Sequence, residues 1–104
     1  MNADDLDNYE SKLELDLYRE YRDVVDIFKY AVETERRFYL CNDVDLVVRT
    51  EGTDVYYEVT MVDAWVWDMY RPSRLVKVAK VMTFKDVSIE ELQHSELRVP
   101  ESKN

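Results

Sequence analysis

The sequence predicts an α+β fold in which one long N-terminal helix packs on a three- to four-stranded, mainly antiparallel sheet. Two observations predict it. Apolar residues recur at intervals of three and four in the first quarter of the chain, which is the period of a helix. Further on, short runs alternate apolar and polar residues, which is the period of strands. A helix followed by consecutive strands indicates an α+β domain.

The predicted helix covers residues 4–33. Neither glycine nor proline interrupts this stretch, and several pairs of opposite charge stand four positions apart. The segment is also acidic, because residues 1–26 carry nine acids against three bases. One face should therefore lie on the sheet and the other in solvent. The predicted inner face is formed by Leu13, Leu17, Tyr21, Val24 and Phe28.

The strand predictions begin after Thr34. Residues 37–40 are a short aromatic run, and residues 44–49 and 55–62 alternate as two strands. Gly52 stands between these two strands and predicts a hairpin turn, since glycine accepts a positive φ. Residues 75–84 predict one more long strand. The residues expected to face the helix include Val55, Tyr57, Val59, Val78 and Met82.

The C-terminal part of the chain carries weaker patterns. Ser88 and Glu91 have the spacing of a capping box, which predicts one or two helical turns. Residues 93–104 are polar and contain Pro100, so we expect a loose tail. The predicted organisation is a single α+β domain over residues 1–92 followed by this tail.

Length and charge exclude several classes of protein. A chain of 104 residues has room for one domain. Its net charge of −9 argues against direct nucleic-acid binding and against binding to an anionic membrane. Cys41 is the only cysteine, so no disulfide forms within the chain. Neither a long apolar segment nor a basic leader is evident. These features predict a cytoplasmic protein without a membrane segment.

Catalytic and cofactor motifs are scarce. A chain with one glycine cannot form a Gly-rich phosphate loop, so we predict no nucleotide cofactor. The only histidine, His94, lies at the edge of the predicted tail, where no rigid base is expected. One histidine and one cysteine also do not suffice for a structural zinc site. The sequence predicts no cofactor and no metal.

The segment from residue 63 to residue 74 is the best candidate for binding. It combines two Trp, one Tyr and two Arg, a composition typical of interface hot spots. Trp65 and Trp67 either fill the core beneath the helix or contribute to a binding face, and the sequence does not decide between these two roles. Residues after the strand-like part are the more exposed candidates. The predicted binding residues are Trp67, Asp68, Tyr70, Arg71 and Arg74.

Asp45 and Glu58 provide an alternative. Their placement on two strands of a hairpin resembles that of the PD-(D/E)-x-K nuclease-like domains, in which two carboxylates bind Mg²⁺ or Mn²⁺. Thr60 stands where the lysine of that motif belongs, so the resemblance fails at one required position. This alternative is a divalent-metal-dependent nuclease-like domain, or a degenerate one, with Asp45 and Glu58 as its catalytic residues.

Four segments of the chain are similar to a small actinobacterial family that is catalogued only as a domain of unknown function. The similarity covers about residues 4–99 and implies an intracellular protein of a high-GC Gram-positive bacterium. No active site is implied, so no residue acquires a catalytic role from it. The segments that carry the resemblance are residues 17–23, 32–40, 63–72 and 81–87.

These observations together predict a non-catalytic adaptor or regulator. Its expected partner is a macromolecule, most simply a protein with a basic surface, because the acidic helix attracts cations. The aromatic and arginine-rich segment is the expected contact. A homodimer through an exposed sheet edge stays open at this stage.

Overall fold

Within the part of the chain that the computed structural model describes, residues 3–92 with side chains from residue 8 onward, one α-helix precedes a strongly curled antiparallel sheet. The fold is therefore α+β, as predicted, but the sheet has more strands than the three or four expected. The elements in chain order are helix α1 (Ala3–Val24), a 3-10 turn (Val25–Ile27), and strands β1 (Tyr30–Glu33), β2 (Phe38–Cys41), β3 (Asp43–Glu51), β4 (Asp54–Val66), β5 (Leu75–Thr83) and β6 (Ser88–Glu91).

Strand β4 is the centre of the sheet. Strand β5 pairs along one of its edges, and β3 and β2 pair one after the other along the opposite edge. Strand β1 continues the sheet beyond β2, and β6 pairs with β1. The predicted hairpin is confirmed: Glu51 pairs with Asp54, and Gly52 in the intervening turn has a φ of 63°. Only the first turn residue needs a positive φ, as in a type II′ turn.

Along one row of residues that crosses the sheet, the alternation of buried and exposed side chains shifts by one position. In a regular strand, residues three apart point to opposite faces. Here Met61 and Ala64 of β4 join the same buried cluster, and so do Val76 and Ala79 of β5. Because neighbouring strands switch at the same level, the sheet bends sharply there. The residues of this row are Asn42, Asp63 and Lys77, and Asp63 has a φ of 53°.

Helix α1 covers the sheet beyond this bend. Leu17 of the helix and Phe28 pack with Leu40 and Trp65, both of which are completely buried. Complete burial of a large apolar side chain contributes about 1.5–3 kcal/mol of stability. Further apolar residues pack against this helix-side cluster at partial burial, and they are Tyr21, Val24, Val25, Phe38, Trp67, Met69 and Leu92.

A second cluster lies on the opposite face of the sheet. Its members alternate along the strands with those of the helix-side cluster: Val32 follows Ala31, and Cys41 follows Leu40. The curl of the sheet encloses this cluster without help from the helix. Its fully buried members are Val32, Cys41, Val59, Met61 and Ala64.

The predicted inner face of the sheet is therefore wrong. Val55, Val78 and Met82 are 51%, 55% and 65% exposed, Tyr57 is half-buried, and Val59 belongs to the cluster on the face away from the helix. The prediction assumed that the helix lies over the hairpin. The helix instead lies beyond the bend, where the large side chains of β2 and the end of β4 cover its apolar stripe.

The predicted extent of the helix is also wrong at its C-terminal end. The helix ends at Val24, a 3-10 turn follows, and residues 30–33 are strand β1 instead of helix. The physical reason is long-range pairing. Tyr30 pairs with Cys41 on one side and with Glu91 on the other, so β1 gains a ladder on both edges.

Residues 88–91 correct one further prediction. They form strand β6 rather than a helical turn, because they pair with all four residues of β1. The predicted tail, residues 93–104, lies outside the described residues. In the part of the chain that is described, no helix has the length and apolar character needed to cross a bilayer.

Candidate functional site

Residues 67–74, which we term the strap, connect the end of β4 to the start of β5 beside helix α1. The strap is fixed to the sheet at both ends. The Trp67 backbone N–H donates to the Phe38 carbonyl at 2.9 Å, and the Val66 N–H donates to the Arg74 carbonyl at 2.9 Å. The strap contains all five predicted binding residues, but their side chains have different partners on the helix and the sheet.

Glu20 of the helix joins the helix, the strap and the sheet. Its carboxylate accepts hydrogen bonds from the Arg74 Nε and, at 3.0 Å, from the Arg74 Nη2. The same carboxylate accepts a hydrogen bond from the indole N–H of Trp65 at 3.1 Å. This last bond satisfies the only polar group of a completely buried side chain. Arg74 therefore has an internal structural partner.

The charge state of Glu20 follows from these contacts. The hydrogen bond from Arg74 lowers the pKa of Glu20 below its ordinary value, and the bond from Trp65 acts in the same direction against the effect of burial. The pKa of Arg74 is raised by the same hydrogen bond. Both groups stay charged through the neutral range, which keeps the strap attached to the helix.

Three aromatic side chains form an open hollow beside the strap. The aromatic hollow consists of Tyr21, Phe38 and Trp67 and encloses about 370 Å³. The ring centroids of Tyr21 and Trp67 are 5.3 Å apart, and those of Phe38 and Trp67 are 6.2 Å apart, both edge to face. Trp65 packs against Trp67 at 5.7 Å from beneath. The walls of the hollow are thus held in place by the core.

Of the predicted binding residues, Tyr70 and Arg71 are exposed. Tyr70 is 62% exposed, and its hydroxyl donates to Glu10 of the helix at 2.9 Å. That bond raises the pKa of Tyr70. Asp68 is half-buried, accepts from the Tyr70 backbone N–H at 3.1 Å and forms an ion pair with Arg37 at 3.4 Å. Asp68 therefore shapes the strap that presents its two exposed neighbours.

The alternative pair, Asp45 and Glu58, lies elsewhere in the sheet. Asp45 is exposed on β3 and pairs with Thr60 of β4. Glu58 accepts a hydrogen bond from Arg49 at 2.9 Å and lies 3.6 Å from the Lys80 ammonium. The bond from Arg49 lowers the pKa of Glu58. Among the described residues, no three His, Cys, Asp or Glu side chains stand close enough together to bind a metal ion.

Comparison with known proteins places the chain in a family. A family model described as a protein of unknown function (DUF2469) matches residues 1–100. The chain belongs to that family. The predicted resemblance is thereby confirmed.

Uncharacterized proteins of two Mycobacterium tuberculosis strains and of Mycobacterium bovis are each 59% identical to this chain over 101 residues, which is 97% of this chain and all of theirs. No solved structure matches the chain. The geometry of the strap and the aromatic hollow is therefore the basis on which function is proposed for this member of the family.

Three residues of this site were not predicted from the sequence. Glu20 and Tyr21 belong to the helix and Phe38 to β2, and each contacts the strap only because the fold brings these elements together. Tyr21 stood in the predicted helix stripe, which indicated burial but not its partners. The only sequence sign for Glu20 is its position directly before Tyr21, at the border of that stripe.

Proposed function

We propose that this protein is a non-catalytic adaptor that binds a macromolecular partner with a basic surface on the side where α1 and the strap meet. The observation that carries this proposal is the aromatic hollow, which opens to solvent beside the most acidic segment of the chain. Lysine and arginine side chains bind over aromatic rings, and acidic surroundings accelerate their approach. A basic side chain of the partner fits this combination.

The partner would meet a rigid surface. Tyr21 and Trp67 pack on the buried Trp65, and Phe38 packs edge to face on Tyr21 and Trp67. Arg74 attaches the strap to the helix. A preorganised aromatic surface loses little conformational freedom on binding. Tyr70 and Arg71 are exposed on the strap that follows Trp67, and tyrosine and arginine are enriched in the energetic centres of interfaces. We infer that they contact the partner directly, while Trp67 forms a wall of the hollow.

The alternative function is a metal-dependent nuclease-like domain using Asp45 and Glu58. Arg49 and Lys80 both form ion pairs with the Glu58 carboxylate. A metal ion would have to displace them. These ion pairs favour the adaptor. Calorimetry with millimolar Mg²⁺ or Mn²⁺ separates the two proposals, because the nuclease requires heat of binding that is lost in Asp45→Ala.

The adaptor proposal is tested by capture from a mycobacterial lysate followed by titration of the captured partner. We expect Tyr70→Ala with Arg71→Ala to lose the partner, because both side chains are exposed and their removal leaves the core intact. The matched control is Phe84→Ala with Lys85→Ala, which removes an exposed aromatic and an exposed cation from the turn that follows β5.

The titration follows tryptophan fluorescence, since Trp67 lines the hollow. Affinity should fall as salt rises, because exposed charges contribute to it. The proposal fails if the folded Tyr70/Arg71 variant retains every partner, or if the Phe84/Lys85 control loses the same one.

A further inference from the structure

Strand β5 differs in charge from the rest of the chain. From Leu75 to Lys85 the sequence contains three lysines and no acid, whereas the remainder carries 11 bases against 23 acids. Lys77, Lys80 and Lys85 are all exposed. At physiological salt, repulsion between the acidic helix and an acidic ligand is screened at distances beyond about 8 Å. Lys80 is already paired with Glu58 of β4 at 3.6 Å. Within the described residues, Lys77 and Lys85 are therefore the cations of this segment that are left for an acidic ligand.

Among the described residues, one edge of β5 has no partner strand. The strand pairs with β4 along one side, and no other strand within residues 3–92 pairs with it. An open edge presents backbone N–H and C=O groups to which an extended chain can add. Nine residues, Leu75–Thr83, give this edge the length of an ordinary strand.

The same strand presents apolar side chains to solvent. Val78 and Met82 alternate with Lys80 on the outer face of the sheet and are 55% and 65% exposed. Leu75 is 63% exposed at the start of the strand, and Phe84 is 71% exposed beyond its end. An added strand would cover such residues with its own alternating apolar side chains.

A cavity lies at the C-terminal end of β5. It encloses about 310 Å³ between the β1–β2 turn and the end of β5, and its lining includes Arg36, Met82, Phe84 and Lys85. Two of these residues are cationic and two are apolar. The lining also includes Glu35, whose carboxylate accepts a hydrogen bond from the Thr83 hydroxyl at 2.9 Å. Two cations therefore face one acid in this cavity, which leaves a small excess of positive charge at the end of the edge.

We propose that the open edge of β5 binds an extended acidic segment of a partner protein, which adds to the sheet as a further strand. Acidic side chains of the segment would lie near Lys77 and Lys85, and apolar ones would cover Val78 and Met82. This surface is separate from the aromatic hollow and has the opposite charge preference. The protein would then join a basic partner on the helix side to an acidic partner at the sheet edge.

A second copy of this chain suits the edge less well. Pairing of β5 with β5 of another copy would bring Lys77 and Lys80 of both copies to one seam, and like charges across strands are unfavourable. Pairing of β5 with the acidic edge of β3 would be head to tail and would extend into a filament unless the rotation closed a ring. Nucleic acid offers neither strand hydrogen bonds nor apolar side chains for Val78 and Met82.

The experiment uses labelled peptides of about nine residues that alternate valine and glutamate, a length that matches the edge. One control peptide carries lysine in place of glutamate. Another keeps the glutamates and contains proline at alternate positions, which prevents strand pairing. Binding is followed by fluorescence anisotropy, and amide hydrogen exchange reports the backbone of residues 75–83.

We expect the valine–glutamate peptide alone to bind and to slow exchange within Leu75–Thr83. Lys77→Glu with Lys85→Glu should weaken binding at least about tenfold, since two attractive charges become repulsive. Met82→Ser should weaken it as well. Lys12→Glu is the matched control, because Lys12 is an exposed lysine of the helix, and it should bind as the unchanged protein does.

Several outcomes overturn the proposal. Equal binding of the proline-containing peptide shows simple charge attraction without strand addition. The proposal is also overturned if no binding occurs at millimolar peptide or if the protein prefers the lysine peptide. Tighter binding of a single-stranded oligonucleotide would overturn it as well. Sedimentation showing a self-associated protein that dissociates in the Lys77/Lys85 variant would assign the edge to a second copy. The Tyr70/Arg71 variant must bind the peptide normally, so failure of this proposal is distinguishable from failure of the adaptor proposal.

Discussion

Arg74, the last residue of the strap, and Glu20 on the helix form an ion pair through two hydrogen bonds, although 54 positions separate them in the sequence. The pair is half-buried and shares its carboxylate with the indole N–H of Trp65. A single side chain of the helix therefore fixes both the strap and the largest buried residue of the core. Because Tyr21 and Trp67 pack on Trp65, the same carboxylate also supports two walls of the aromatic hollow.

Glu20→Ala should lower the free energy of unfolding by about 1–3 kcal/mol, because it leaves the buried indole N–H of Trp65 without an acceptor. Glu20→Gln keeps an acceptor and loses the charge, so its cost should be smaller, about 1 kcal/mol. Urea denaturation of both variants measures the difference. The proposed role of the indole bond is wrong if the two substitutions cost the same.

A double-mutant cycle tests whether Arg74 acts through Glu20. Arg74→Ala alone should cost about 1–2 kcal/mol. Added to Glu20→Ala it should cost clearly less than it does alone, because its partner is already gone. Lys12→Ala with Asp16→Ala provides the control, since this exposed pair on the helix is 3.7 Å apart and should couple weakly. Additive costs for Glu20 and Arg74 would contradict the ion pair.

The stability of the protein should fall in acid through Glu20. Its folded pKa lies below the unfolded value of 4.5, so the stabilisation is fully present above that value and is lost as pH falls through the folded pKa. The difference in unfolding free energy between the unchanged protein and Glu20→Gln should therefore be constant near neutrality and shrink as pH falls below 4.5. A difference that is independent of pH over this range would show that the charge of Glu20 contributes nothing.

Local sequence patterns predicted the elements in which apolar residues recur regularly and a turn residue marks the end. The helix stripe around Leu17 and the hairpin at Gly52 are confirmed, since each depends on neighbours in sequence. Strand β1 was missed because residues 30–33 continue the helical spacing with no breaker. Only pairing with β2 and β6 makes them a strand, and such pairing is invisible in a local window.

The binding segment was predicted by composition, and its internal contacts were not. Trp67 and Tyr70 are close in sequence, yet one packs on Tyr21 and the other donates to Glu10. The bend of the sheet was not predicted, because the predicted strand ended at residue 62 and Asp63 was assigned to the binding segment. That bend reverses which side chains of β4 and β5 face inward, so it also explains why the predicted inner face was wrong.

Asp63 should tolerate substitution according to backbone conformation. Its φ of 53° lies in the left-handed region, which Asn and Gly accept readily and β-branched residues do not. Asp63→Asn and Asp63→Gly should leave the unfolding free energy within about 0.5 kcal/mol, whereas Asp63→Val should lower it by about 1–2 kcal/mol. Denaturation of the three variants measures this. Equal stability of Asp63→Val would mean that the bend does not require this conformation.

Cys41 should be chemically inert in the folded protein. The side chain is completely buried, and burial raises the pKa of its thiol to about 11. At about pH 8 the thiolate is scarce and shielded, so iodoacetamide should react at least about 100-fold more slowly with the folded chain than with the chain in urea. Since Cys41 is the only cysteine, mass spectrometry follows one reaction.

The matched control for this experiment is Ser73→Cys combined with Cys41→Ala, which places the single thiol on the exposed strap. That thiol should react at similar rates in the folded and unfolded chain, because folding neither buries it nor shields it. The raised pKa also predicts a loss of stability in alkali: stabilisation by the protonated thiol is complete below the ordinary value of 9.0 and disappears as pH rises through about 11. Rapid alkylation of the folded chain at Cys41 would show that the cluster on the face opposite the helix opens readily to solvent, contrary to its complete burial.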